Sequence, residues 1–172
     1  MRAIARVLAV GSQSASYLLG GLALTTAIAV AITAKDTLAV AHWALNVLGS
    51  GFLILMASLI FITLFSLVRM LRFRSTPGDR DFWYEVGTQA ANGVTTLALT
   101  FTLLGISLGI GSLAGQTLTP ETVQGVIRDL TANFSLAFMT TVVGLPISVF
   151  LRAVLAIARG RIILDLEKRS VR

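Results

Sequence analysis

The sequence predicts an all-α polytopic membrane bundle of four transmembrane helices, with both termini and the middle connection cytoplasmic. Three observations carry that reading. First, of 172 residues 55% are hydrophobic and 13% charged, against roughly 25% charged in a soluble domain, so a water-facing shell cannot be built at normal density. Second, four charge-free runs, 7–34, 37–68, 86–120 and 130–151, hold 28, 32, 35 and 22 residues, each above the roughly 20 that cross a bilayer. Third, 12 of the 14 cations lie at the N-terminal end, in the middle connection or at the C-terminal end, leaving only Lys35 and Arg128 on the other side. That bias is the positive-inside pattern, and it accounts for the net charge of +6 without a nucleic-acid partner. A typical soluble enzyme is excluded.

The first span is expected over 14–34. Its small residues Gly20, Gly21, Ala23, Ala27 and Ala31 allow close approach of a neighbouring helix. Arg2 and Arg6 before an apolar stretch resemble a signal peptide, but the stretch far outruns a short h-region, so a retained span is expected. A turn at Lys35 and Asp36 leads to a second span over 43–68, rich in Leu, Ile and Phe, as a lipid-facing helix requires. The connection 69–81 contains Ser75, Thr76, Pro77 and Gly78, a turn cluster. The third span, 82–115, begins with Phe82, Trp83 and Tyr84, aromatic types that settle at membrane interfaces. Thr119 and Pro120 form an N-cap and first-turn pair before the fourth span, 133–158, and a charged extension, 159–172, projects into the cytoplasm. The whole chain, 1–172, is one membrane domain. No internal repeat is visible, which weakens an inverted-repeat transporter.

Catalytic chemistry has little to draw on. The chain has one histidine, no cysteine and eight acids, the acids all expected outside the hydrocarbon, so no metal or cofactor is expected. Gly105-Ile106-Ser107-Leu108-Gly109 matches a nucleophile elbow, but that motif requires a strand-turn-helix and here falls within an expected membrane helix. Imidazole side chains in general can relay protons, yet the position of His42 beside Trp43 reads more simply as interfacial. Polar residues inside the spans are more informative. Gln89, Asn92, Thr96, Thr100 and Ser107 recur at steps of 3, 4, 4 and 7, which places them on one helical face. Such a face prefers water or protein to lipid. Thr140 and Thr141 stand in the middle of the fourth span, followed by Gly144 and Pro146, where proline frees a carbonyl and favours a bend. Gly105 and Gly109 add a small-residue seam. Hydroxyls and freed carbonyls suit an ion or proton path, but an ionisable group at membrane depth is missing, and such paths normally use one.

The last two spans resemble the MotA/TolQ/ExbB proton-channel family over roughly 95–158. Leu103-Leu104-Gly105-Ile106-Ser107-Leu108-Gly109-Ile110 is similar to that family's G-x-x-x-G-I stretch, and Ala137-Phe138-Met139-Thr140-Thr141-Val142-Val143-Gly144-Leu145-Pro146 to its threonine-containing A-T-A-I-G-L segment. The resemblance implies a ring of five subunits in the bacterial inner membrane. The ring would surround a dimer of a single-span partner whose membrane aspartate carries H+ or Na+. It puts Thr141 in place of the pore threonine and Ile106 where the other helix often has a hydroxyl, with Ser107 beside it. Asn92, Thr96, Thr100, Ser107, Thr140 and Thr141 are then the expected path-lining residues, and Gly105, Gly109, Gly144 and Pro146 the packing ones. The chain departs from the flagellar branch in having about a dozen residues where a large cytoplasmic domain would lie. The competing readings are a small secondary transporter and a structural membrane scaffold. Retained activity in Thr141→Val would separate the scaffold from the motor.

Overall fold

The computed structural model describes residues 2–33, 37–72, 77–114, 119–120 and 122–170. Every described residue except Gly49, Thr119, Pro120 and Thr122 lies in one of five helices: α1 (Arg2–Thr33), α2 (Thr37–Leu48), α3 (Ser50–Arg72), α4 (Pro77–Ala114) and α5 (Val123–Ser170). Three of them, α3, α4 and α5, are long and apolar enough to cross a membrane.

The element boundaries differ from the sequence expectation in three places. The single helix expected over 43–68 is divided at Gly49, whose φ of 76° is the left-handed conformation that costs other L-residues roughly 1–2 kcal/mol. Pro77 and Gly78, expected to belong to a turn, instead open α4. Proline at a helix start has the right φ and no N–H to waste. At the other end of the bundle, α5 begins at Val123, not at Pro120. The Thr119 N–H donates to Thr122 Oγ1 (3.0 Å), while the Thr119 carbonyl accepts from the N–H groups of Thr122 (3.1 Å) and Val123 (3.0 Å), so the first turn is capped reciprocally. The expected turn at Lys35 and Asp36, and Ser75, Thr76, Gly115 and Glu121, lie outside the described residues.

The bundle is built around an antiparallel α4/α5 pair. Small residues recur every seven positions on both helices, Ala91, Ala98 and Gly105 on α4 and Ala137 and Gly144 on α5, and each step up one helix meets a step down the other. A Cβ added to Gly144 would stand 2.5 Å from the Ala98 Cβ, one on Gly105 2.8 Å from the Ala137 Cβ, and one on Gly109 3.0 Å from Phe134 Cε1. The backbones can approach this closely only because those side chains are absent. Between the spans, Leu151 packs with Ala91 and Val94, flanked by Met56, Leu59, Ile60 and Ile147.

Helix α3 runs antiparallel to α4 on a second side. Phe52 is fully buried with Ala98 and Leu48 and meets Phe101 edge-on at 5.3 Å between ring centres, Leu59 fills the space beside Gly93, and Ser66 lies against Gly87. Met139 and Val143 of α5 join the Phe52 cluster, so α3 covers both helices from one side. Helix α1 packs along α3, with Val10 and Ser14 fully buried, but Gly20, Gly21, Ala23 and Ala27 are exposed. At Gly20 and Gly21 an added Cβ would meet nothing within 4 Å, so no neighbouring helix of the described residues is closely packed there; the side chain of Ala31 lies outside the described residues.

Where α3 ends and α4 begins, aromatic and charged residues form a belt. Phe65 meets Trp83 edge-on at 5.8 Å, the Arg69 guanidinium lies 4.9 Å from the Trp83 ring centre, and Ser66 Oγ donates to the Trp83 carbonyl. On the same level Arg159 pairs with Asp81 at 2.9 Å and covers the Tyr84 ring at 4.3 Å.

Candidate functional site

The polar side chains of α4 fall on two faces with different fates. The first face points into the α5 seam and repeats every seven residues: Thr88, Thr95 and Thr102. It meets Thr141 and Ser148, themselves seven apart on α5. Thr102 is the hub. Its hydroxyl lies 2.9 Å from both the Ala98 carbonyl of its own helix and the Ala137 carbonyl of α5, 3.2 Å from Thr140 Oγ1 and in contact with Thr141 Oγ1. Thr140, fully buried, donates to the Ala137 carbonyl at 2.7 Å. Each hydroxyl has one proton and two lone pairs, so the arrangement satisfies all three groups when Thr141 donates to Thr102 and Thr102 donates to a carbonyl. Two turns along, Thr95 Oγ1 donates to Ser148 Oγ (2.7 Å), and Ser148, also fully buried, donates to the Ala91 carbonyl (2.7 Å). The third step, Thr88, comes level with the apolar Leu155 and has a buried hydroxyl without a hydrogen-bond partner among the described residues.

The second face is the one that sequence periodicity picks out. Gln89, Thr96, Thr100 and Ser107 are exposed and Asn92 half-buried, because α3 and α5 occupy the other sides of α4. Gln89 Nε2 donates to Glu85 Oε1 (2.9 Å) and Thr96 Oγ1 donates to the Asn92 carbonyl (3.3 Å). Lipid-type residues interrupt this stripe: Leu103 is 69% exposed. The outward side of α5 is different in kind, with Phe138, Val142, Val149, Phe150 and Ile157 exposed and Pro146 among them. The helix continues through Pro146 without a break. His42 lies exposed on α2, away from both polar faces.

The structure thus divides the six expected path residues. Thr140 lies in the helix seam, Thr141 is half-buried at its edge, Asn92 is half-buried, and Thr96, Thr100 and Ser107 face outward. Gly105, Gly109 and Gly144 are at the closest α4/α5 approaches. The residues that sequence periodicity passes over are Thr88, Thr95, Thr102 and Ser148, whose signal is a strict spacing of seven shared with the small residues beside them. Along this seam Thr95 and Thr141 are half-buried and Ser148 is fully buried. No protein-family model, curated protein or solved structure matches the chain.

Proposed function

We propose that this chain is an ion-conducting subunit of a membrane motor driven by the proton-motive force. In this reading α1, the α2/α3 pair, α4 and α5 make four passes through a bacterial inner membrane, with both termini cytoplasmic. About five copies form a ring around a dimer of a single-span partner, and protons, with sodium as the alternative ion, cross between them. The partner supplies the membrane carboxylate that this chain lacks. The observation that carries the reading is the uncovered stripe Thr96, Thr100 and Ser107 on α4, with Asn92 half-buried beside it. Exposing these polar groups to lipid wastes hydrogen bonding in a medium that returns none, whereas facing a wet conduit satisfies them. The conduit follows α4, and Thr141 borders it at the edge of the seam.

The absence of cysteine allows a direct test. Single cysteines at Thr96, Thr100 and Ser107 in otherwise unaltered protein should react in membranes with a small water-soluble thiol reagent, and cysteines at Leu104 and Leu108 should not. Equal protection at all five positions would mean that the stripe faces lipid or packed protein, and conduction along it would be abandoned.

One observation favours the scaffold reading. Thr102, Thr140 and Thr141 satisfy one another within a single chain, as hydroxyls that merely fasten helices would. Thr141→Val separates the two. In a motor subunit it abolishes partner-dependent ion flux while assembly persists; in a scaffold it lowers stability and leaves any flux unchanged.

A further inference from the structure

The charge pattern along α5 has one member out of place. Arg159 belongs to the belt with Asp81, Tyr84, Trp83 and Arg69. Arg152 lies seven residues further into the bundle, about 10 Å at 1.5 Å per residue, on the same turn as Leu151, which packs on Ala91 and Val94. It is exposed and has no ion-pair partner among the described residues. Val149, one turn before it, and Ala156, one turn after it, are exposed apolar residues on the same side of α5, so its surroundings on the outer side are those of a lipid chain. It stands one turn beyond Ser148, on the side of α5 that meets α4. Near that height α4 carries the half-buried Asn92.

A cation below the interface is accommodated by extending toward the headgroups and by drawing phosphate and water inward, and a guanidinium fits phosphate through paired N–H donors. We infer that Arg152, with the Asn92 side chain near its level, forms a binding site for the phosphate of an anionic phospholipid, drawn below the plane of the neighbouring headgroups. The acyl chains lie along Val149 and Ala156. The inference goes beyond ion conduction and stands whether or not the α4 stripe carries ions.

The test uses full-length protein in nanodiscs of phosphatidylcholine with and without phosphatidylglycerol, followed by detergent release and native mass spectrometry. Wild-type protein should retain phosphatidylglycerol, and Arg152→Gln should retain about fivefold less, the factor that corresponds to roughly 1 kcal/mol per basic residue at a membrane surface. Arg161→Gln, on the projecting part of α5, should retain as much as wild type. Equal retention in wild type and Arg152→Gln would overturn the site, and so would an equal loss in Arg161→Gln, which would mean general attraction to negative membranes. Displacement of the lipid by millimolar inorganic phosphate would identify a solution-anion site instead and overturn the lipid assignment. A measurement on unaltered protein covers a misfolded variant: phosphatidylglycerol should slow amide hydrogen exchange at 149–155 but not at 160–168, and exchange unaffected by the lipid at 149–155 would again reject the site.

Discussion

Thr102 shows how one hydroxyl can hold two membrane helices. Its oxygen reaches carbonyls on both helices and two threonines of α5, so removing it unpairs several groups at once. Thr102→Val keeps the shape and should cost about 1 kcal/mol, within the range of hydrogen bonds measured between membrane helices; thermal unfolding of detergent-extracted protein measures it. Gly144→Val should cost more, about 1–3 kcal/mol, because even a Cβ would stand 2.5 Å from that of Ala98 and the helices would have to separate. Loss of the extractable folded chain, or a melting point lowered well beyond that of Thr102→Val, is the expected result. Of these residues, sequence reading picks out Gly144 through its type, since glycine near the middle of a span marks close approach. It passes over Thr102 because a lone threonine in a membrane helix ordinarily bonds its own preceding turn, and only the partner helix reveals otherwise.

At the scale of elements, hydropathy and charge make the three apolar helices legible, but they cannot show where a charge-free run bends. The 32 uncharged residues from 37 to 68 read as a continuous helix. The division comes from one backbone angle at Gly49, a property of glycine that hydropathy ignores. Space is not the reason for glycine there, since an added Cβ would meet nothing within 4 Å. Gly49→Ala should therefore destabilise the bundle by about 1–2 kcal/mol through conformation alone, and Gly51→Ala, at an open helical position, should be neutral or slightly stabilising. Comparing the two melting shifts isolates the angle from the residue type. The two polar faces of α4 illustrate the same division of information. The stripe Gln89, Asn92, Thr96, Thr100 and Ser107 has the period of a helix surface and is visible in the sequence. The seam Thr88, Thr95 and Thr102 has the period of a helix pair, and it becomes visible only when Thr141 and Ser148 are set against it.

At the scale of the whole molecule, one chain leaves two kinds of surface that a bilayer alone would not satisfy equally well. The α5 exterior is apolar and needs only lipid, whereas the α4 stripe needs water or protein. A single copy surrounded by lipid would leave that stripe unsolvated, so the proposed function requires assembly, and closed symmetric assembly is the usual outcome for identical subunits. Five chains of 18.3 kDa make about 92 kDa, to which two copies of a single-span partner would add their own mass. Native mass spectrometry of the gently extracted complex should show the five-chain mass, with or without the partner, and Thr141→Val should leave that mass unchanged while abolishing flux. A stable species of one or two chains that binds a solute by itself would favour the transporter, because a ring-borne conduit has no wall when the neighbouring subunits are missing.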